Sequence, residues 1–208
     1  MGGVVELNHV IVKHYVTVLR SKETSTPEFR HALETLGSFL AKEMTCELAL
    51  RESPVETPIT SAMGFQISEK VGIVPILRAG LALVRPFREL IPNACVLHLG
   101  MYRNEETAQP VAYYNKLAES PEVETAFLVD PMLATGGSAV AAINELRRAG
   151  VEQIVFGCVI AAPEGIAVVR QKFPEVKIVA CSIDEGLNDI NYIVPGLGDA
   201  GDRYFGTV

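Results

Sequence analysis

Hydrophobic positions in the second half of the chain recur in short runs that alternate with stretches of helical period. One run, Ile154 to Ile160, is apolar on both faces of a pleat, as required of a strand covered by helices on each side. This favours an α/β fold with a mostly parallel sheet, in which ligands bind at the carboxyl ends of the strands. The predicted strands are Val71 to Pro75, Cys95 to Leu99, Phe127 to Val129, Ile154 to Ile160 and Val176 to Cys181, and the predicted helices are Leu81 to Leu90, Ala139 to Ala149 and Ile166 to Lys172.

A further helix is predicted near the N-terminus. It begins at Thr26, which can cap it, and Pro27 suits its first position. Pro54 and Pro58 end that segment. Its apolar face consists of residues at helical spacing, namely Phe29, Leu33, Leu36 and Leu40.

Two other segments interrupt the alternation. Pro86 lies inside the predicted helix Leu81 to Leu90, where it predicts a kink or an early stop. The polar stretch from Gly100 to Glu122 contains three tyrosines and has no helical period. This composition predicts a hairpin arm or a mobile loop.

Composition narrows the class of protein. The chain has 208 residues, of which 49% are hydrophobic, and a formal net charge of −7. One domain with a sizeable core is expected, and the acidity argues against a general binder of nucleic acid. No stretch approaches the roughly 20 apolar residues of a membrane helix, so we expect a soluble cytoplasmic protein. The cysteines are scattered without metal spacing, which predicts buried free thiols at Cys46, Cys95, Cys158 and Cys181.

A phosphate-binding loop is the strongest chemical signal. A strand brings Asp130 to its carboxyl end, a small-residue loop from Ala134 to Ser138 follows, and a helix comes next. Glycines allow a close approach of the backbone, and the amides at a helix start favour an anion. The loop lacks the lysine of a nucleotide-binding P-loop and the G-x-G-x-x-G of a dinucleotide fold. A glycine-rich turn that binds nothing is the alternative.

Several motifs carry a family resemblance. FLVDPMLATGGSA resembles the 5-phosphoribosyl 1-diphosphate (PRPP) motif of type I phosphoribosyltransferases. GIVPILRAG, GMYRNEET, AAPEGI and NYIVPGLGDAGDRYFGT resemble uracil phosphoribosyltransferases, in the right order over nearly the whole chain. The resemblance implies a pentosyltransferase of pyrimidine salvage that converts uracil and PRPP to UMP and diphosphate. Mg²⁺ is implied to be bound through PRPP, with no protein metal site.

The resemblance also implies an architecture. It implies one type I phosphoribosyltransferase domain over residues 1–208, with a β-arm and a C-terminal hood that binds the base. The Rossmann-like core spans about residues 60–182. The hood is formed by an N-terminal helical segment of about residues 1–55 together with residues 183–208.

Site residues follow from the resemblance, position by position. Arg78 and Arg103 are implied to contact the diphosphate and to act in catalysis with Asp199, which also contacts PRPP. Pro131 stands where the wider superfamily has a second acidic residue, which leaves Asp130 as the one carboxylate of that pair. The loop implied to bind ribose 5-phosphate comprises Asp130, Pro131, Met132, Leu133, Ala134, Thr135, Gly136, Gly137 and Ser138. The residues implied to bind uracil are Ile193, Gly198, Asp199 and Ala200.

Some alternatives stay open. Asp199 is either a base that deprotonates uracil N1 or a group that only orients it. Asp202 and Arg203 are expected to be structural, as a local ion pair, and Glu164 to begin a short helix. A non-catalytic sensor of PRPP or nucleotide, and a transferase for another base, are the competing functions.

Assembly and regulation are likewise implied only by the resemblance. A homodimer or a larger homo-oligomer is expected, with apolar contacts supplied by Val10 to Leu19 and by the arm from Gly100 to Glu122. Some family members respond to GTP, which makes GTP a possible effector. No sequence motif in this chain shows a regulatory site.

Overall fold

The structure, a computed structural model, describes residues 2–103, 110–115 and 123–207, and only the backbone of residues 101–103 and 110–115. The strands are β1 (Val4–Glu6), β2 (Leu50–Glu56), β3 (Ser61–Ile67), β4 (Val71–Leu77), β5 (Cys95–Val96), β6 (Leu99–Arg103), β7 (Pro110–Asn115), β8 (Thr125–Val129), β9 (Met132–Leu133), β10 (Gln153–Ala161), β11 (Lys177–Ile183), β12 (Gly186–Leu187) and β13 (Ile193–Val194). The helices are α1 (Val10–Arg20), α2 (Thr26–Met44), α3 (Val84–Leu90), α4 (Gly137–Arg148), α5 (Pro163–Lys172) and α6 (Ala200–Phe205), with 3₁₀ turns at Thr45–Glu47 and Ala79–Leu83.

A mostly parallel sheet forms the centre of the fold, as predicted. Within the described residues its order is β1-β11-β10-β8-β4-β6-β7, and only the β6–β7 pair is antiparallel. Strands β4, β8 and β10 are buried along nearly their whole length. Side chains of α1, α2 and α3 belong to one apolar cluster, and those of α4 belong to a second cluster with α5 residue Val169. Helices therefore cover both faces, which explains the continuous apolar runs.

The predicted helix boundaries need correction. Helix α2 is capped by Ser25, whose backbone N–H donates to Glu28 Oε2 at 3.0 Å, so Thr26 is already helical. The helix ends at Met44, well before Pro54. Pro86 causes no early stop, because it lies in the first turn of α3, where its missing N–H is not needed. A 3₁₀ turn precedes that helix instead.

A hairpin that the sequence pattern did not predict connects α2 to the sheet. Strands β2 and β3 pair in register from Leu50 with Ile67 to Glu56 with Ser61. Pro54 lies within β2, so it does not end a helical segment. Most side chains of both strands are exposed, which removes the alternation that identifies a half-buried strand. The exposed apolar side chains of this hairpin are Leu50, Val55, Ile59, Met63, Phe65 and Ile67.

The predicted arm is partly within the described residues. The antiparallel pair β6–β7 confirms a hairpin there, whereas residues 104–109 and 116–122 lie outside the described part. The predicted strand Cys95 to Leu99 is interrupted, because β5 ends at Val96 and β6 begins at Leu99.

Three further expectations concern the apolar side chains of α1, the burial of the cysteines and membrane-spanning helices. In α1, Val12, Val16 and Leu19 are buried inside the molecule, whereas Val10 and Ile11 are exposed, so a contact of this helix with another subunit stays a prediction. Cys158 and Cys181 are buried free thiols, but Cys46 is exposed and Cys95 only partly covered. In the described part of the chain, every helix is too short or too polar to cross a membrane.

The C-terminal helix α6 packs against α2, from the N-terminal part of the chain. Arg30 Nε of α2 donates to the Tyr204 carbonyl of α6 at 2.6 Å, and the Tyr204 hydroxyl donates to Glu34 Oε1 at 3.1 Å. Such contacts are what a hood formed from both termini requires. The proposed division at about residues 60 and 182 stays a prediction.

Candidate active site

The glycine-rich loop connects the carboxyl end of β8 to helix α4. The helix begins at Gly137, two residues earlier than predicted. Gly136 precedes it with a φ of 80°, in the left-handed region that favours glycine. The amino end of this twelve-residue helix thus faces the loop, so its unpaired amides and its dipole can hold a phosphate there.

The first turn of α5 packs against this loop. The Ala162 amide donates to the Leu133 carbonyl at 2.8 Å. Gly165 packs so closely on the loop that an added Cβ would overlap the Ala134 carbonyl oxygen. An added Cβ at Gly136 would in turn lie 2.9 Å from the Gly165 carbonyl oxygen. The two glycines therefore let two backbone segments touch directly.

Asp130 is partly buried at the entrance of the loop. Burial raises the pKa of its carboxyl to about 7, and a long hydrogen bond of 3.5 Å from the Met132 amide opposes this only weakly. Pro131, at the position of the missing second acid, is buried. Its carbonyl accepts the amides of Val159 and Ile160 at 2.9 and 3.0 Å. This residue therefore anchors the loop to β10.

Arg78 follows β4 and approaches the C-terminal helix. The peptide bond that joins it to Leu77 is cis. Its guanidinium donates to Asp202 Oδ1 at 3.2 Å and lies 5.9 Å from the ring centroid of Phe205. Its side chain is nevertheless 60% exposed, so it is accessible to an anionic ligand. Gly80, two residues on, packs against the Val129 carbonyl immediately before Asp130.

The C-terminal segment turns sharply before α6. Gly198 has a φ of 79°, and Asp199 caps the helix by accepting the Asp202 amide at 2.9 Å. Gly198 and Asp199 are exposed, whereas the side chains of Ile193 and Ala200 are buried. Ile193 and Ala200 can therefore present only backbone groups to a ligand.

The predicted ion pair between Asp202 and Arg203 is wrong. Asp202 accepts hydrogen bonds from Thr207 Oγ1 at 2.6 Å and from Arg78, and these contacts lower the pKa of its carboxyl in that order. Arg203 instead donates to the Leu197 carbonyl at 2.7 Å and to the Ser21 carbonyl at 2.6 Å. Both side chains are structural, but they have different partners from those expected.

Contacts between loops thus gather most of the predicted site at the carboxyl end of the sheet. Arg78 meets the segment that contains Asp199, and Gly80 meets the strand end that leads to Asp130. The side chain of Arg103 lies outside the described part of the chain. Among the described residues no group of three or more His, Cys, Asp or Glu side chains could hold a metal ion.

The sequence pattern missed two polar contacts around this site. Glu164 does begin α5, but it also accepts the Leu187 amide at 3.1 Å. Arg20 and Asp184 form an ion pair behind the C-terminal segment. They lie on elements far apart in the chain, so no local motif could have identified them.

Comparison with known proteins places the chain in a family. The profile of the family described as "Uracil phosphoribosyltransferase" matches residues 5–207. The chain belongs to the uracil phosphoribosyltransferase family. A relative named uracil phosphoribosyltransferase, from Geobacillus sp. (strain WCH70), is 49% identical over 208 residues and 100% of both chains.

Two solved structures resemble the chain in fold. The structure of the AQ2163 protein from Aquifex aeolicus superimposes with a TM-score of 0.90 at 40% identity, over 98% of each chain. An adenine phosphoribosyltransferase from Trypanosoma brucei, in complex with AMP, pyrophosphate and ribose-5-phosphate, matches with a TM-score of 0.58 at 11% identity, over 96% of this chain and 89% of that one. The second match confirms the predicted fold, that of type I phosphoribosyltransferases.

Proposed function

We propose that this protein transfers the phosphoribosyl group of PRPP to uracil. Uracil N1 loses its proton and bonds to C1 of the ribose, while the bond from C1 to the diphosphate oxygen breaks and diphosphate leaves with the electron pair. The products are UMP and diphosphate. The observation that carries the proposal is the contact of Arg78 with the segment that contains Asp199. This contact brings a positively charged side chain, suited to bind diphosphate, beside the loop proposed to bind the base.

The PRPP half of the site combines the amino end of a helix with an exposed positive charge. The loop from Ala134 to Ser138 holds the 5-phosphate with backbone amides and hydroxyls, and Asp130 accepts hydrogen bonds from the ribose hydroxyls. Arg78 binds the diphosphate, for which a planar guanidinium is well suited. Its exposed ion pair with Asp202 is weak enough to be exchanged for phosphate. Arg103 is proposed as the second cation of the diphosphate.

Magnesium is proposed to be part of the substrate. Mg²⁺ prefers oxygen ligands and usually binds through one or two carboxylates together with substrate phosphates. The oxygens of PRPP supply such ligands, and Asp130 is the carboxylate best placed to assist. Bound in this way, Mg²⁺ offsets charge on the leaving diphosphate.

The uracil half of the site is proposed to use backbone groups. Uracil displays alternating carbonyl and N–H groups, which a rigid loop through Ile193, Gly198 and Ala200 can match. Asp199 either accepts the proton of N1 or only orients the base. Replacement of Asp199 by Asn keeps a cap for α6 but removes the basic carboxylate. An Asn variant near full activity, beside an impaired Ala variant, would exclude proton abstraction.

Product formation tests the proposed function. The protein is incubated with Mg²⁺, PRPP and one base at a time, and the nucleotides are separated by chromatography. UMP formation from uracil, with little product from adenine, guanine or hypoxanthine, is expected. Binding of PRPP without UMP would instead indicate a non-catalytic sensor, and a purine nucleotide as the main product would indicate a different transferase.

Assembly, regulation and location stay predictions. The exposed apolar side chains of the β2–β3 hairpin support a proposed homodimer or larger assembly, because large exposed apolar patches mark interaction sites. Sedimentation velocity at several protein concentrations tests this. Addition of GTP to the assay above tests the possible effector. A cytoplasmic location is consistent with salvage of a free base.

A further inference from the structure

A partly buried ion pair contacts the backbone of the proposed base loop. Arg20 is the last residue of α1, and Asp184 directly follows β11. Arg20 Nη2 and Nη1 donate to Asp184 Oδ1 and Oδ2 at 2.5 and 2.7 Å, in a two-pronged arrangement. The Asp184 side chain is 1% exposed and that of Arg20 is 25% exposed. Neither residue belongs to a motif that the family resemblance assigned to substrate.

Both members of the pair also hold the backbone of Gly196. Asp184 Oδ2 accepts the Gly196 amide at 2.9 Å, and Arg20 Nη1 donates to the Gly196 carbonyl at 3.0 Å. Ser182 Oγ lies 3.3 Å from Arg20 Nη2 and from Asp184 Oδ1. Hydrogen bonds to the ionised Asp184 outweigh the cost of its burial, so its pKa is lowered. The pair is therefore charged and nearly saturated by partners.

Gly196 is the midpoint of the segment proposed to receive uracil. It lies between Ile193 and the exposed residues Gly198 and Asp199, and it is itself buried. Arg203 holds the next carbonyl, that of Leu197. Two arginines thus hold the carbonyls of Gly196 and Leu197. The exposed residues Gly198 and Asp199 of the same loop remain accessible to a ligand.

The energetic cost of the Arg20–Asp184 pair favours a role in orienting the backbone of Gly196 over a role in stabilising the fold. Removing two charges from water is costly, and apolar residues of similar volume often stabilise a fold as well as a buried ion pair does. Apolar residues could not bind the amide and the carbonyl of Gly196 together. A base recognised by backbone groups requires that those groups stay in fixed directions.

We propose that Arg20 and Asp184 are positioning residues for the nucleobase, which fix the loop around Gly196 in the geometry that accepts uracil. The inference rests on the proposed function. It assigns the pair to the uracil half of the site and not to the PRPP half. Loss of the pair should therefore weaken uracil recognition selectively.

Steady-state kinetics of Asp184→Asn and Arg20→Lys test this inference. We expect the KM for uracil to rise at least tenfold in D184N and less in R20K, which keeps the positive charge. The KM for PRPP should stay within twofold of the parent value. Discrimination between uracil and cytosine should also fall, an effect that a purely structural role would not produce. The matched control is R148Q, which removes an exposed surface ion pair with Glu145.

The outcomes separate this inference from the proposed function. An unchanged uracil KM in folded variants, or equal losses for uracil and PRPP, would overturn the positioning role. If D184N does not fold, R20K decides the question by the same ratio of KM values. A parent protein that forms no UMP would instead refute the proposed function.

Discussion

The contact between Gly165 and the phosphate loop makes a sharp prediction. A Gly165→Ala substitution adds a methyl group where the Ala134 carbonyl oxygen already lies, and this group would also stand 3.0 Å from the Leu133 carbonyl oxygen. These partners are backbone atoms, so they cannot rotate away as a side chain would. Either the loop or the first turn of α5 must move by roughly an ångström, a distance set by ordinary contact radii.

The size of the effect follows from the cost of overpacking. Extra methyl groups in well-packed sites cost about 1–3 kcal/mol. If that cost is relieved by displacing the loop, it reduces kcat/KM for PRPP by roughly 5- to 150-fold, since about 1.4 kcal/mol is tenfold. If part of it destabilises the folded state, Tm falls by about 2–4 °C per kcal/mol for a chain of this length.

The assay compares G165A with G3A. Gly3 has no atom within 4 Å of an added Cβ, so its substitution is a matched glycine-to-alanine control. Initial rates with varied PRPP at saturating uracil, together with thermal melting, give both parts of the effect. A folded G165A protein whose kcat/KM for PRPP and Tm both equal those of G3A would refute the reasoning.

Three further substitutions probe the PRPP half by steady-state kinetics. Arg78→Ala should lower kcat at saturating uracil and raise the KM for PRPP, since losing one such contact costs about 3 kcal/mol; parent-like kinetics would remove Arg78 from the mechanism. Asp202→Asn releases Arg78 from an exposed pair, so the KM for PRPP should fall about twofold; an increase would contradict this. The ionised Asp130 accepts hydrogen bonds from ribose, so the KM for PRPP should rise as pH falls through about 7. Asp130→Asn should lose this pH dependence, and a variant whose pH profile equals that of the parent would contradict the prediction.

The sheet and the phosphate loop could be predicted because their signals are local. Apolar runs such as Ile154 to Ile160 carry the strand signal within themselves, and the loop before α4 needs only its own glycines. The boundaries were less accurate. The start of α2 depends on Ser25 and Glu28 together, three residues apart, whereas the sequence prediction used only the adjacent Thr26 and Pro27.

Features that depend on distant partners could not be predicted. Asp202 is adjacent to Arg203 in sequence, but it pairs with Arg78, which lies far away on the chain. Arg20 and Asp184 meet only because α1 packs beside β11. The β2–β3 hairpin escaped prediction for another reason, since exposure of both its faces removes the alternation of polar and apolar positions.

The AAPEGI motif, which the resemblance left without a substrate, has a physical explanation in the first turn of α5. Gly165 touches the phosphate loop, while Glu164 beside it accepts the Leu187 amide of β12. That strand pairs with β13, which begins with Ile193 of the proposed base loop. Reacting atoms must approach to about 3–3.5 Å for efficient transfer. This turn contacts the phosphate loop directly and the base loop through β12, so it sets their spacing. The segment is therefore constrained even though it contacts neither PRPP nor uracil in the proposed site.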